Sequence, residues 1–396
     1  MANSILTPTA VTRKALQILH QKLNFIGNIN RQYDDSFATS GAKIGSQLKI
    51  RLPNQYTVRT GAAISTQDTT ENSTTLSVAT QKGVDTTFTT AELALSLDDF
   101  SDRILEPAMA VLASNIEADA LNMVKDVYQS VNNVGSAITL NKVLTARKAL
   151  TDSLAPSDKR KLILNTQDNL DLVDSLKGLF QDSSEIAKQY REGMVGRTAG
   201  FGEIYENTLL ASQATGTAAS ATTYTVNGAG QTGSGVIVAT GATTFAVGDV
   251  VTFAGCNRVH PETKADTGAL QQFVVTTAYA GGAGTLAISP AIVTSGGTQN
   301  VSASPTNGGA VTKVGGASAV YRPSIAFHEN AFTFATADLE DVSQYGAWGS
   351  RQVYDGISMR VARQYAINTD TIPCRIDILY GYKTIRAELA ARILSN

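Results

Sequence analysis

The stretch "VGDVVTFAGCNRVHPETKAD", Val247–Asp266, decides how the middle of the chain folds, because it begins as an apolar strand and ends as a charged turn. It holds one of the two cysteines, Cys256, and one of the three histidines, His260. A zinc site needs about four ligands, and no second cysteine or histidine lies nearby in the sequence. A catalytic cysteine needs a neighbouring base and usually an orienting third group. The pattern therefore predicts that Cys256 is a small apolar residue at a strand end and that His260 lies in a solvated loop.

The region around this stretch has its own composition. Between Gly216 and Gly316 stand 18 of the 33 glycines and only six charged residues. Short apolar runs recur between turn residues, which is typical of a small all-β barrel or sandwich, with low-complexity sequence as the competing interpretation of its edges. GAGQTG, Gly228–Gly233, matches a dinucleotide-binding fingerprint, but a strand follows where that motif needs a helix, so we expect a hairpin turn. The predicted strands are 223–226, 236–240, 250–254, 273–278 and 285–288.

The sequence on both sides of this region mixes helix and strand signals. Before it, Val143 to Leu150 predict a helix, and KLIL, Lys161–Leu164, predicts a buried strand. After it, strands are expected at 324–327, 356–361 and 374–379. The simplest account is one α+β domain, residues 139–212 and 318–396, interrupted by a β-barrel-like domain at residues 213–317.

The first third of the chain consists of elements that lack a core of their own. Residues 7–26 predict an amphipathic helix that docks either on its own subunit or on a partner. Residues 47–90 alternate with a period of two on either side of the polar Thr60–Thr74, and this predicts a long two-stranded arm. A lone hairpin is marginal in water, so the arm needs another surface. The strongest helix signal covers residues 98–130, and Pro107–Tyr128 would form a strut of roughly 33 Å.

The bulk composition excludes several classes of protein. A net charge of −2 lacks the basic excess that a protein gripping nucleic acid needs. Two cysteines 118 positions apart make a secreted disulfide scaffold a poor fit. No signal peptide and no run of 18 apolar residues is present, so we expect a soluble protein made in the cytoplasm, with no membrane partner. No motif predicts a catalytic residue, a metal ligand or a cofactor.

The order of these parts resembles that of tailed-phage major capsid proteins with the HK97-like fold. In that family an N-terminal arm is followed by an extended loop, a long spine helix and an axial α+β domain. The β-rich insertion narrows the resemblance to the coat proteins of phage P22 and its relatives, which carry an insertion domain. The stretches that carry the likeness are "TTFTTAELALSLDDFSDRILEPAMAVLASNIEADAL" (86–121), "RTAGFGEIYENTLL" (197–210), "GDVVTFAGCNRV" (248–259), "QQFVVTTA" (271–278), "IAFHENAFTFATADLE" (325–340) and "ILYGYKTIRAELAARI" (378–393).

The resemblance implies a non-enzymatic shell protein. Copies would form pentamers and hexamers of an icosahedral phage head, assembled in the host cytoplasm with scaffolding protein and portal, and would enclose double-stranded DNA without sequence-specific contacts. It implies an arm at 1–46, an extended loop at 47–90 and a peripheral domain with the spine helix at 91–138. The alternatives are an encapsulin-like nanocompartment shell, a β-rich binding module on an α+β carrier, and an enzyme that uses Cys256 and His260.

The resemblance also points to three groups of contact residues. The tip of the extended loop would reach a neighbouring subunit, and the charged loop of the insertion would contact an adjacent capsomer. The N-terminal helix would lie near the scaffold-facing interior. The candidates are Thr66, Asp68, Glu71 and Asn72 at the tip, Arg258, Glu262, Lys264 and Asp266 in the charged loop, and Arg13, Lys14, Leu16 and Leu19 on the helix.

Overall fold

The fold is taken from a computed structural model that describes residues 8–31, 46–64, 66–67, 71–88, 105–176, 199–339, 342, 348–354, 356–367 and 371–395. Asp68 and the start of the helix expected over 98–130 lie outside these residues. The chain divides into two compact units. Unit 1 takes its described residues from Met1–Leu52, Ser73–Leu121 and Phe332–Ile385, and unit 2 from Pro53–Asn72, Asn122–Ala331 and Arg386–Asn396.

The described residues contain helices and strands in a mixed α+β order. The helices are α1 (Pro8–Lys22), α2 (Glu106–Leu121), α3 (Leu140–Asp152) and α4 (Thr166–Leu176). The strands are β1 (Ser46–Arg51), β2 (Ser73–Val78), β3 (Thr80–Phe88), β4 (Ser130–Asn132), β5 (Arg160–Leu164), β6 (Glu203–Glu206), β7 (Gln213–Ala214), β8 (Ala221–Val226), β9 (Gly233–Ala239), β10 (Val250–Val259), β11 (Asp266–Val275), β12 (Gly284–Ile292), β13 (Ala310–Lys313), β14 (Val320–His328), β15 (Phe332–Ala337), β16 (Trp348–Tyr354), β17 (Ile357–Arg363), β18 (Ile372–Thr384) and β19 (Ala390–Ser395).

Unit 1 is built on an antiparallel sheet around β18. That strand pairs with β3, β15 and β17, and β16 extends the sheet beyond β17. The helix α1 packs on β16, β17 and α2. Burying its apolar face stabilises the fold by about 25 cal/mol for each Å² of apolar surface that is removed from water. Of the two docking sites expected for this helix, its own subunit is therefore the one observed.

The expected two-stranded arm is only partly correct. The strands β1 and β2 pair antiparallel over Ser46–Arg51 and Ser73–Val78, but β3 leaves this ribbon and pairs with β18 from Thr80 to Phe88. Pairing with a sheet of several strands stabilises β3 more than a lone hairpin, which is marginal in water. The ribbon also lies close over β18, because a Cβ atom at Gly381 would lie 2.2 Å from the Ser77 carbonyl oxygen.

The helix α2 is shorter than the predicted Pro107–Tyr128 strut. It begins at Glu106, next to the proline, whose missing N–H is tolerated in a first turn. It ends at Leu121, and the chain tightens there into a 3₁₀ segment, Asn122–Asp126. Tightening of this kind is common at helix ends because it satisfies carbonyl groups that the α-helical pattern leaves open.

Unit 2 contains a mixed sheet and a closed barrel. The sheet has the order β4-β19-β14-β5-β6, with β7 also paired to β14. The helix α3 packs against β19 through an apolar face that includes Val143, Ala146 and Leu150. The barrel closes in the order β10-β11-β12-β9-β8-β13, so each of its strands has two neighbours. Closure removes the open strand edges that would otherwise pair with other chains.

The barrel core explains the composition of residues 216–316. Alternate side chains of its strands point inward and form one apolar cluster, which includes Tyr224, Phe245, Phe253, Phe273 and Cys256. The glycines serve the turns and the tight crossings between strands. At Gly241, for example, a Cβ atom would lie 2.2 Å from the ring of Tyr224, so the aromatic core leaves room there only for glycine.

Candidate assembly surfaces

The structure separates Cys256 from any catalytic role. Its thiol is buried in the barrel core, and burial raises the pKa of the Cys256 thiol to about 12. A protonated thiol is a poor nucleophile at neutral pH. The ring of His260 has a local task, because its Nδ1 accepts backbone N–H groups of Glu262 and Thr263 at 3.3 and 3.2 Å. The imidazole therefore stabilises the turn between β10 and β11.

The fingerprint-like GAGQTG turn is a hairpin. It connects β8 to β9, which pair antiparallel with Val226 opposite Val238. The Gln231 side chain fills the turn, since its Oε1 accepts the Ile237 N–H at 2.6 Å and its Nε2 donates to the Asn227 carbonyl at 3.0 Å. The turn is followed by the strand β9 and not by the helix whose N-terminus would bind a phosphate. Within the described residues, no group of three or more His, Cys, Asp or Glu side chains is placed to hold a metal ion.

The charged loop of the barrel is largely engaged inside its own unit. The Arg258 guanidinium pairs with Asp152 of α3 at 3.1 Å, and Lys264 Nζ donates to the Gln299 carbonyl at 3.2 Å. The Asp266 carboxylate accepts the Gly268 N–H and the Asn257 amide, and these hydrogen bonds lower the pKa of Asp266. Glu262 is exposed, and no side-chain partner of it is seen in the described part of the chain. Arg258 is the residue of this group least available to a neighbour, because it is already paired with Asp152.

The loop between β1 and β2 has no regular secondary structure in its described residues. Thr66, Glu71 and Asn72 are exposed there. Large apolar side chains in the same loop are exposed as well: Tyr56 is 56% exposed, Val58 95% and Ile64 86%. Such side chains, close together along an extended segment, are a feature of binding surfaces.

The candidates on α1 fall on two different faces. Arg13 and Lys14 are exposed, as a contact with another protein requires. The expectation for Leu16 and Leu19 is wrong, because they are 1% and 0% exposed and belong to the face that packs inside unit 1. The period of the helix places positions 16 and 19 on the apolar stripe and positions 13 and 14 outside it.

A buried carboxylate binds the chain just after α1, at Asn24–Ile26, and this contact was not predicted from the sequence. Glu117 of α2 is 1% exposed. Its oxygens accept the backbone N–H groups of Asn24 at 3.0 Å, of Ile26 at 3.2 Å and of Phe25 between them. Three N–H donors on one carboxylate form a strong charge-assisted cluster. The only sequence signal was an acidic residue inside the apolar stripe of α2.

Contacts made by Gln272 and Arg392 join the barrel to the sheet of unit 2. The Ser130 N–H donates to Gln272 Oε1 at 2.7 Å, and Gln272 Nε2 donates to the Ser130 carbonyl at 3.0 Å, so the amide of a barrel strand continues the edge of β4. Arg392 of β19 is fully buried, and its guanidinium donates to Gln213 Oε1 at 3.2 Å and to the Gly248 carbonyl. Burial lowers the pKa of Arg392. The sequence signal for this buried charge was Arg392 itself, which stands inside the otherwise apolar run "AARILS".

Comparison with known protein families then identifies the chain. The family described as "P22 coat protein - gene protein 5" matches residues 26–393. The chain belongs to this family. The coat protein is therefore a structural component of a phage head shell and not an enzyme, it associates with further copies of itself, and its location is the virion.

Solved structures similar to this coat protein include capsid proteins at low sequence identity. A chain of Mycobacterium phage Che8 is 13% identical, with a TM-score of 0.49, over 94% of this chain and 91% of that one. A chain from the asymmetric unit of the bacteriophage PhiM1 mature capsid is 9% identical, with a TM-score of 0.41, over 89% and 82%. A chain of the virus-like particle from Pyrococcus furiosus is 7% identical, with a TM-score of 0.40, over 97% and 98%. Because these scores are below 0.5, the assignment rests on the family match.

A search of curated protein sequences finds no match. Among the described helices, none combines the length and the apolar character that crossing a bilayer requires.

Proposed function

We propose that this coat protein assembles as pentamers and hexamers into an icosahedral head of HK97-like subunits. In this proposal scaffolding protein and a portal take part in assembly, and double-stranded DNA is enclosed without sequence-specific binding. The family match to residues 26–393 supports the shell role. The net charge of −2 agrees with a wall that encloses DNA without holding its phosphates.

The proposal assigns a role to each part of the chain. Residues 1–46 are the N-terminal arm, 47–90 the extended loop and 91–138 the peripheral domain with the spine helix. Residues 139–212 and 318–396 form the axial domain, and 213–317 form the insertion domain. The closed barrel formed by β8 to β13 supports the last assignment, because its strands all lie within that range.

The observation that carries the proposal is the exposed apolar loop between β1 and β2. Its most exposed side chains, Tyr56, Val58 and Ile64, are not covered by the described residues of the chain. Covering a side chain of this kind contributes about 1.5–3 kcal/mol. A second copy of the coat protein supplies the cover, with Thr66, Asp68, Glu71 and Asn72 in the polar rim of the contact.

Smaller contacts complete the assembly in this proposal. Glu262, Lys264 and Asp266 lie at the barrel's charged loop and contact an adjacent capsomer, and Arg258 supports that loop through Asp152. Exposed ion pairs contribute at most about 1 kcal/mol each, so this contact guides the fit more than it holds the shell. Arg13 and Lys14 face the scaffolding protein from the exposed side of α1.

Sedimentation velocity and electron microscopy of the purified coat protein test the proposal. At rising protein concentration we expect pentamers, hexamers and closed shells. Changing Tyr56, Val58 and Ile64 together to serine removes the apolar contact and leaves the subunit soluble but unassembled. The control is Leu170→Ser, which removes an apolar side chain that is 62% exposed on α4, and it assembles normally.

Two results contradict the proposal. One is a wild-type protein that stays monomeric at every concentration, with scaffolding protein present as well as without it. The other is a triple variant that forms shells as readily as wild type does, since the exposed loop would then make no contact with a neighbour. Circular dichroism of the unassembled variants confirms that they are folded.

A further inference from the structure

The loop between β1 and β2 makes a close contact with its own barrel. A Cβ atom at Gly297 would lie 2.3 Å from the Gln55 carbonyl oxygen and 2.9 Å from the Gln55 carbonyl carbon. Separations under about 3 Å do not occur for real Cβ atoms, so only glycine permits the backbone of the loop to lie there. Gly297 does not have the positive φ of its neighbour Gly296, which is at 85°. The glycine at position 297 therefore serves the contact and not the turn.

The turn that receives the loop is firmly held. Asn300 Oδ1 accepts the Val293 N–H at 2.9 Å, and Asn300 Nδ2 donates to the Ala291 carbonyl at 2.7 Å. Gln299 Nε2 donates to the Val301 carbonyl at 3.0 Å. Three hydrogen-bonding groups from two side chains thus close residues 291–301 into a seat on the barrel.

The loop next to Gln55 is held together by hydrogen bonds between Thr57 and Gln67. The Thr57 N–H donates to Gln67 Oε1 at 2.8 Å, and Gln67 Nε2 donates to the Thr57 carbonyl at 2.5 Å. The Gln67 amide therefore takes the place of a neighbouring strand for Thr57. The loop can leave the seat as one piece, because these bonds lie within the loop and do not involve the barrel.

We propose that the contact of Gln55 with the turn 291–301 is a resting position that holds back assembly. The inference rests on the proposed function, in which the same loop binds a neighbouring copy. At rest the loop lies on its own barrel, so its backbone is held away from a neighbour. Assembly begins when the loop leaves Gly297 and a second copy binds its exposed apolar side chains.

The energetics of the contact suit such a device. The seat leaves Val58 and Ile64 exposed, so the resting position buries little apolar surface and opens at low cost. A neighbour that covers those side chains together with the Gln55 backbone, which Gly297 contacts at rest, prefers the released loop. A partner that binds the released loop more tightly shifts the population toward the released state. Because releasing the loop costs free energy, the apparent affinity of the loop for the neighbouring copy is lower than its affinity once released.

Gly297→Ala tests the resting position. The added Cβ atom displaces the loop without straining the turn, so trypsin cleaves after Arg59 several-fold faster in unassembled subunits, and shells form after a shorter lag. The control is Gly296→Ala, which strains the same turn through its φ of 85° but whose Cβ atom would meet nothing within 4 Å. We expect the control to keep the wild-type rate of cleavage and the wild-type lag.

A measurement without the glycine substitution covers the case in which Gly297→Ala fails to fold. The Gln55 side chain is exposed, so it can be replaced by the photoreactive residue benzoylphenylalanine. In dilute unassembled subunits we expect cross-links within one chain to residues 291–301, identified by mass spectrometry.

The outcomes separate this inference from the proposed function. Wild-type rates of cleavage and assembly in Gly297→Ala, slower assembly in that variant, or cross-links at position 55 that join only different chains overturn the resting position while the shell role stands. Cleavage and cross-linking are read in unassembled subunits. A wild-type protein that never assembles therefore contradicts the proposed function and leaves the resting contact measurable.

Discussion

At the scale of single residues, burial sets the chemistry of the titratable side chains. The thiols of Cys256 and Cys374 are both buried, and burial raises the pKa of Cys374 to about 11. Asp168 lies on α4 with 1% of its surface exposed, and desolvation raises the pKa of its carboxyl group to about 6. Each of these pKa shifts favours the neutral form of the side chain, because burial makes the charged form less stable.

We predict that neither cysteine reacts with a thiol reagent in the folded protein. Ellman's reagent at pH 8 should titrate no thiol under native conditions and both thiols in guanidinium chloride, because reaction needs an accessible thiolate. Rapid reaction of one thiol in the native protein would contradict the burial of Cys256 and Cys374. The Cys256→Ala and Cys374→Ala variants identify which thiol reacts.

Asp168 makes folding stability depend on pH. The folded protein binds a proton at Asp168 up to about pH 6, whereas the unfolded chain releases it near 3.8, so the free energy of unfolding falls as pH rises from about 4 to 6. The contribution is on the order of 2–3 kcal/mol. Asp168→Asn should abolish this slope in urea unfolding experiments, although the Ser324 hydroxyl, which donates to Asp168 at 2.5 Å, must reorient.

The matched control for the pH experiment is Asp174→Asn on the same helix, because Asp174 is exposed. It should keep the wild-type slope between pH 4 and 6. An Asp168→Asn protein whose unfolding free energy falls over that range as steeply as that of wild type would show that another group is responsible.

At the scale of elements, unit 1 depends on the carboxylate that α2 offers to the chain after α1. The Glu117 carboxylate accepts N–H groups from Asn24, Phe25 and Ile26, and Phe25 also packs edge-on against Phe332 at 5.4 Å between ring centroids. The Glu117 carboxylate and the contact of Phe25 with Phe332 thus help to fix the position of this segment. When the carboxylate is removed, the buried N–H groups lose their hydrogen-bond acceptor and cannot replace it with water.

We predict that Glu117→Ala destabilises unit 1 by about 2–4 kcal/mol, because it leaves buried N–H groups without an acceptor. Hydrogen exchange at Asn24–Ile26 should become faster in the variant, and the thermal transition should move to lower temperature. The control is Ser114→Ala on the exposed face of the same helix, which should change neither measurement. Unchanged exchange in Glu117→Ala would rule out the carboxylate as the anchor of this segment.

At the scale of the whole molecule, unit 2 depends on how the barrel is attached to its sheet. Gln272 pairs with Ser130, Arg258 pairs with Asp152, and Arg392 reaches Gln213 and the Gly248 carbonyl. Each bond joins residues that are far apart in the chain. The attachments fix the direction of the barrel relative to the sheet within this unit, and a capsomer contact through the barrel needs such a fixed direction.

Removing the buried charge should weaken this attachment. We predict that Arg392→Met lowers the unfolding free energy of unit 2 by about 2–4 kcal/mol, because the Gln213 amide oxygen and the Gly248 carbonyl lose their buried hydrogen-bond donor. Arg322→Met on β14 is the control, since Arg322 is exposed. Urea unfolding of unassembled subunits measures both. Equal stability of the two variants would mean that the buried guanidinium is dispensable.

Much of the fold follows from local sequence. Five of the six barrel strands were predicted from alternation and turn residues, and β10 and β12 contain the predicted positions 250–254 and 285–288 within longer strands. The sixth strand, β13, was not predicted. Cys256 was predicted as an apolar strand residue, and it lies in β10 with its thiol in the core. Strand alternation, turn residues and the helical period depend only on residues that are close together in the sequence. They can therefore be recognised without knowledge of the tertiary structure.

What the tertiary structure alone decided depends on residues that are distant in the sequence. The ribbon was expected to contain β3, but β3 pairs with β18. The Gln272–Ser130 pair spans 142 positions and the Arg258–Asp152 pair 106 positions. No local pattern fixes which remote strand or charge a residue meets, because that choice depends on the packing of the complete chain. The sequence by itself determined most of the barrel strands and the family likeness, and the tertiary structure decided where α2 ends, which strand β3 pairs with and which side chains remain available for a neighbouring copy.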